Sequence, residues 1–400
     1  MTAHVTALKT ATAERDVIAS AQELASSFAQ TAAHHDRTGE FPAANFQALF
    51  EAGLLGLVTA REQGGLGEGL ETAQAVISAI AVGEPSTALV LAMHYNNHAA
   101  IRRGDWPSHL AELVLEANRK RPALLNAAQA EPGMGSPAHG GLPATTARQD
   151  GDHWIINGRK SFVTGLTGLA FANVLALTEE TEPRLIQLLV PLDLDGMSQV
   201  KTWEAAGMYA TASDDLVLRD VRVPLDHIIA EQLATEPLRR DEAGGNVFFT
   251  LLAAVYQGVA ISARNDLLAH LTQHSPSSLG APLSTIPRLQ EGLGEIEVLL
   301  ASNARLLQSV SRDVDAGRSV GTDAMVLRHA VIENAVRVTD LALELGGNRG
   351  LRRDYHLERH HRDALTARAH APQSHMIRTT LGKAAIARFT AATNAGKPAR

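Results

Sequence analysis

The chain has 400 residues, of which 45% are hydrophobic and 20% charged. That is enough for two or three domains and too apolar for wholesale disorder. It contains no cysteine and carries a formal net charge of -7, which excludes disulfide scaffolds, zinc-thiolate sites, iron-sulfur clusters, thiol nucleophiles and a basic nucleic-acid footprint.

Residues 1–120 read as helix. The opening MTAHVTALKTATAERD lacks a charged start followed by an apolar run, and no 18 apolar residues come together, so a cytoplasmic address with no membrane partner is the expectation. In FPAANFQALFEAGLLGLV, residues Phe46, Leu49, Phe50 and Leu54 share one helical face, and Gly53 and Gly56 are stop signals. Two further apolar helices follow, broken at Gly83 and Pro85. His34, His35 and Asp36 are expected at the surface.

Residues 121–235 change character. Short runs of β-formers such as HWIING, PRLIQLLVPLD and DDLVLRDVRVPLD alternate with Asp-Gly, Asn-Gly and Pro breaks, predicting antiparallel strands. Asp150-Gly151 and Asn157-Gly158 are both read as turns flanking a strand at His153–Ile156. Residues 236–400 return to long helices, with Leu327, Val331, Val338 and Leu341 near one stripe that Gly346-Gly347 is expected to end. The result is an α+β chain: an N-terminal helical domain (1–120), a β domain (121–235) and a C-terminal antiparallel helical bundle (236–400).

Two local patterns tempt an assignment. Gly133-Met134-Gly135-Ser136-Pro137-Ala138 fits G-x-G-x-x-A, but Pro137, Gly140 and Gly141 forbid the helix that a dinucleotide fingerprint requires. His356, His360 and His361 form a dense patch, yet the arginines at 349, 352, 353 and 359 crowd it. A solvated or anion-facing helix is favoured, and no metal is expected.

The informative signal is the order of weaker motifs. Ala130-Glu131-Pro132-Gly133-Met134-Gly135-Ser136 precedes Asp150-Gly151-x-x-Trp154-x-Ile156-Asn157-Gly158-x-Lys160 and Phe162-Val163-Thr164-Gly165. Then come Gly207-Met208, Asp220-Val221-x-Val223-Pro224, Leu345-Gly346-Gly347-Asn348 and Glu358-Arg359-x-x-Arg362-Asp363. This series, over about residues 15 to 390, resembles the acyl-CoA dehydrogenases. The resemblance implies a flavin, FMN or FAD, between the β domain and the bundle, a small-molecule substrate, and a homo-oligomer, usually a tetramer.

By the same resemblance Phe162 stands against the flavin face, Thr164 near its N5, and Gln129, Ala130, Ser136, Val163, Gly346 and Gly347 around the cofactor. Such parts suit an isoalloxazine, which needs a flat wall and edge hydrogen bonds. The general base of the dehydrogenases would fall at Ala371 or, in its alternative placement, at Phe248, and neither is an acid. These two are expected to line the substrate pocket. The family's pyrophosphate arginine falls at 276–278, where there is none, and Leu343 replaces its glutamine, so FMN becomes plausible.

A sister branch, the reduced-flavin monooxygenases typified by dibenzothiophene monooxygenase, carries a histidine just before a proline in this segment. Here that is His370, ahead of Ala371 and Pro372, with His94 resembling a second pocket histidine. The expectation is an O2-dependent monooxygenase working through a flavin C4a-hydroperoxide, with His370 and His94 catalytic and reduced FMN supplied by a separate flavin reductase. The alternatives are an acyl-CoA dehydrogenase with a displaced base, and a flavin-free scaffold.

Overall fold

The computed structural model describes residues 16–133, 141–237, 239 and 241–395. Ser136 and most of the loop after Gly133 lie outside them.

Five helices come first: α1 (Val17–Thr38), α2 (Ala43–Glu51), α3 (Leu70–Gly83), α4 (Pro85–Arg103) and α5 (Ser108–Lys120). Their ends follow from local chemistry. Asp16 accepts the Ile18 and Ala19 amides to start α1. Glu84 accepts the Thr87 amide at 2.6 Å and Pro85 occupies the first turn of α4, where its missing N–H costs nothing. Phe46, Leu49 and Leu54 are buried as their spacing predicts, whereas Phe50 is only partly covered.

The sheet runs β6 (Met197–Val200), β7 (Asp215–Pro224), β3 (His153–Lys160), β2 (Thr146–Asp150), β4 (Leu169–Thr178), β5 (Arg184–Pro191), β8 (Ile228–Leu233), with β1 (Leu124–Ala128) joined to β4. It is mixed rather than purely antiparallel, because β1 and β2 both pair β4 in parallel.

Asn157-Gly158 is not a turn. β3 passes through it with a register shift against β7, and a Cβ on Gly158 would come within 2.3 Å of Thr145 Oγ1. The Asn157 amide instead pairs with Asp220, whose φ is +51°. The glycine is there for close approach at a bulge.

The bundle comprises α6 (Glu242–Gln273), α7 (Pro287–Asp315), α8 (Asp323–Gly350), α9 (Leu357–Thr366) and α10 (Ser374–Ala395). α6 is long and apolar enough to cross a membrane by composition, but here it is the core helix, packed against α3, α4, α7, α8 and α9. Asp315 at the end of α7 caps α3 through the Leu70 and Glu71 amides, fastening the bundle to the N-terminal helices. The long run of α8 ends at Gly346-Gly347 as expected: Gly347 is non-helical (φ 55°, ψ -145°), and only a short further helical stretch follows to Gly350.

The His356–Asp363 segment is a buried junction, not a solvated face. His356 caps α9 in a left-handed conformation, and its carbonyl accepts the His360 amide at 3.1 Å. Arg359, His360 and Asp363 are buried, and His360 Nε2 sits 2.9 Å from Asp266. Arg362 grips Asp36 at 2.7 and 2.9 Å, Glu358, and the Ala206 carbonyl. That also corrects the surface expectation for His35, which is buried, and for Asp36, which is spent on Arg362. Among the described residues no group of three or more metal-ligating side chains forms.

Candidate active site

Two segments expected at a flavin are brought together by one main-chain bond and one side-chain bond. The Ser161 amide donates to Ala130 O at 2.9 Å, and Asn126 on β1 donates its side-chain amide to Thr164 O at 2.9 Å. The half-buried Gln129-Ala130 stretch therefore lies alongside residues 161–164.

Within that second segment Val163 is buried, while Phe162 points out, 64% exposed, with φ +57°. A bulky residue in the left-handed region is strained, and such strain concentrates at functional positions. Phe162 is no core aromatic at a strand end. Among the described residues its ring stands edge-on to Trp203, with centroids 6.3 Å apart, and most of its apolar surface is exposed. Ser213 Oγ lies 3.1 Å from Thr164 Oγ1. An exposed aromatic ring beside a hydroxyl, backed by buried main chain, fits an isoalloxazine ring and its N5 edge.

The loop after β6 links this edge to the bundle. Thr211 Oγ1 lies 2.8 Å from Ser213 Oγ and donates to Met208 O at 2.8 Å, and the Met208 amide donates to Asp363 Oδ1 on α9 at 2.7 Å. Gly207 is required here, because a Cβ would come within 2.4 Å of Arg362 O. Burial pushes Asp363 up to about 7, although the Met208 amide and Arg359 pull the other way. Among the described residues Arg359 Nε and Nη1 find no hydrogen-bond partner, beside a cavity of about 10 Å³ shared with Asp36, Glu84 and Asp363, room for about one water molecule.

From α9 the connections reach His370. Thr366 donates to Asp363 O at 2.6 Å, Tyr256 on α6 lies 3.2 Å from Thr366 Oγ1, and His370 Nε2 lies 2.8 Å from the Tyr256 hydroxyl. Arg328 of α8, 2% exposed, holds the main chain on either side of Ala371: it donates to His370 O at 2.7 Å and to Pro372 O. Its guanidinium stands over the Phe249 ring, 5.7 Å from the centroid. Phe249 adjoins Phe248, so the start of α6 and Ala371 share one neighbourhood, and neither expected pocket position carries an acid. Burial, then the Arg328 charge, lowers His370 to about 4, leaving it neutral near pH 7.

Other expected residues stand apart. His94 is fully buried: Nε2 faces Leu55 O at 3.1 Å and Nδ1 accepts the Leu125 amide at 3.3 Å. Both ring nitrogens are committed to main chain, so His94 is a structural tie between α4, the 54–58 turn and β1, and the structure does not join it to His370. Gly346 packs on Leu357, where a Cβ would sit 2.8 Å from Cδ1, and Gly347 is exposed at the kink. A groove of about 1110 Å³ between α1, α3, α6 and α7 includes none of the expected flavin residues. Sequence reasoning missed Asn126, Ser213 and Arg328. Only the short polar run Thr211-Ala212-Ser213 following Gly207-Met208 hinted at one of them.

Three family models match the chain in order: the acyl-CoA dehydrogenase N-terminal domain over residues 12–104, its middle domain over 126–221 and its C-terminal domain over 250–375. Putative acyl-CoA dehydrogenase YdbM of Bacillus subtilis (strain 168) is 30% identical over 344 residues, 85% of this chain and 88% of that protein. Among solved structures, butyryl-CoA dehydrogenase from Megasphaera elsdenii superposes with a TM-score of 0.81 at 19% identity, covering 93% of this chain and 98% of that one. FMN-bound TdsC from Paenibacillus sp. A11-2 gives 0.77 at 22%, covering 91% and 96%. With the helical, sheet and bundle layers and the three family models in register along its length, the chain belongs to the acyl-CoA dehydrogenase superfamily of flavin-dependent oxidoreductases.

Proposed function

We propose that this protein is a reduced-flavin monooxygenase of the superfamily, acting on a small organic substrate. The observation that carries the proposal is His370: a neutral imidazole, hydrogen-bonded to Tyr256, stands beside Ala371, where the dehydrogenases place a carboxylate. Proton abstraction from carbon needs a positioned base of matched pKa. An imidazole lowered to about 4 is too weak a base for that, but it is a good hydrogen-bond donor and acceptor. Reduced flavin, when bound, supplies the two electrons with which O2 gives one oxygen to substrate and the other to water. Phe162 and Thr164 would hold the ring, and the buried Val163 and Met208 would exclude water behind it. FMN is favoured because the arginine and glutamine of the family's adenylate site are replaced, and a separate reductase would deliver it reduced.

Acyl-CoA oxidation is the second reading, favoured by the name of the 30% identical relative. Anaerobic binding separates the two. Reduced FMN is expected to bind at least about tenfold tighter than oxidised FMN, with no bleaching of bound flavin by butyryl-CoA. A tightly held FAD that butyryl-CoA reduces would overturn the proposal in favour of a dehydrogenase. On mixing with reduced FMN and O2, His370→Ala is expected to release more hydrogen peroxide than the wild type.

A further inference from the structure

Resting on the reading of His370 as the neutral hydrogen-bonding group of the site, we infer that Tyr256 is a positioning residue that fixes the His370 tautomer: its hydroxyl donates to Nε2 and leaves the ring proton on Nδ1. Three hydroxyl and imidazole groups share few protons here, and the distances assign them. Thr366 gives its proton to Asp363 O, 2.6 Å away, so it can only accept from Tyr256. That approach is 3.2 Å, longer than O–H···O bonds normally run, whereas the 2.8 Å to His370 Nε2 suits an O–H···N bond. The Tyr256 proton therefore goes to the imidazole. Nδ1–H has no hydrogen-bond partner among the described residues, and the side chain is partly open.

The surroundings make tautomer, not charge, the controlled variable. His370 is faced by Tyr256 from α6 and Arg328 from α8, while Asp363 of α9 acts on Tyr256. Arg328 pins the carbonyls of His370 and Pro372, fixing the backbone from which the ring projects. Burial raises Tyr256 and lowers His370, so both stay neutral over the physiological range. A neutral imidazole offers one donor and one acceptor, and which nitrogen donates is set by the bond the other makes. With Nε2 occupied as acceptor, the site is presented with a donor.

Nitrogen-15 NMR of histidine-labelled protein, without flavin, reads this directly. The His370 signals among the 17 histidines are assigned by their loss in His370→Gln. Wild type is expected to show Nδ1 protonated and Nε2 bare. Tyr256→Phe is expected to shift the ring towards the Nε2–H form that histidine favours in water, and Thr366→Val to leave the tautomer unchanged. An Nε2–H ring in wild type, or one indifferent to Tyr256→Phe, overturns the inference. If Tyr256→Phe does not fold, wild type and Thr366→Val still decide it. In turnover with reduced FMN, Tyr256→Phe is expected to raise peroxide release towards the level of His370→Ala, with kcat falling more than KM rises. If the tautomer shifts as expected but neither variant changes peroxide release, the tautomer lock stands and the assigned role of His370 falls.

Discussion

The Glu131 carboxylate lies 2.5 Å from the Lys160 ammonium, and both side chains are almost wholly buried, at 3% and 0% exposure. Glu131 also accepts the Ala144 and Thr145 amides at 2.6 and 3.0 Å. Burial would raise Glu131, but Lys160 and these amides hold it below the ordinary carboxylate value. One pair thus explains two motif residues far apart in the chain: Glu131 and Lys160 tie the stretch after β1 to the end of β3, just before Phe162. Glu131 is fully engaged as an anchor and is no candidate base.

Breaking this pair on one side strands a buried charge. Lys160→Met or Glu131→Leu is expected to cost about 3–5 kcal/mol, read by urea unfolding at pH 7. The double variant is expected to recover much of that loss, because removing both charges also removes their desolvation. A double variant whose loss equals the sum of the two single losses would show that the pair contributes nothing as a pair.

Phe162 invites a change with opposite effects on stability and binding. A non-glycine residue in the left-handed region is strained by about 1–2 kcal/mol, while glycine raises the entropy lost on folding by about 0.5–1 kcal/mol. At 64% exposure Phe162 forfeits little burial. Phe162→Gly is therefore expected to be neutral to about 1 kcal/mol more stable, yet to bind reduced FMN about tenfold more weakly. Phe162→Tyr is expected to retain binding. A glycine variant that binds FMN like wild type would remove Phe162 from the site.

Much of the layout was legible because its signals are local. The 3.6-residue stripes, the β-forming runs and the contiguous Phe162-Val163-Thr164 can each be read within a short window. What escaped depends on distance in sequence. Arg328 reaches His370 across 42 positions and Tyr256 across 114, and no periodicity announces such partners. Asn157-Gly158 misled because the dipeptide satisfies a turn and a bulge equally. The contact with Thr145 that decides between them is made only by the fold. Charged residues in the α9 segment read as solvated until Asp36 and Asp266, brought in from other helices, accounted for Arg362 and His360.

His94 predicts an acid-sensitive fold. Burial lowers it to about 4, against the Leu55 bond that would raise it. A histidine held neutral in the fold stabilises above its unfolded pKa of about 6.5, and that contribution fades as pH falls towards 4, because only the unfolded chain takes up the proton. The contribution is bounded by about 3 kcal/mol. His94→Gln is expected to flatten the fall in unfolding free energy between pH 6.5 and 4. An unchanged slope would place the acid sensitivity elsewhere.

Asp363 carries the opposite sign. Its folded value is raised to about 7 from an ordinary value near 3.9, so the fold favours the protonated acid. The stabilisation is complete below about pH 4 and is lost as pH rises through 7. Asn has nearly the same shape, and its carbonyl can still accept the Met208 amide, which donates to Asp363 Oδ1 at 2.7 Å, but it cannot ionise. Asp363→Asn is therefore expected to match wild type near pH 4 and to exceed its stability at pH 8, by at most about 4 kcal/mol. The orphaned Arg359 beside it sets the competing outcome. If Arg359 pairs with an ionised Asp363, the asparagine variant is instead less stable at pH 8. Unfolding at the two pH values thus decides whether burial or the neighbouring guanidinium controls this carboxyl.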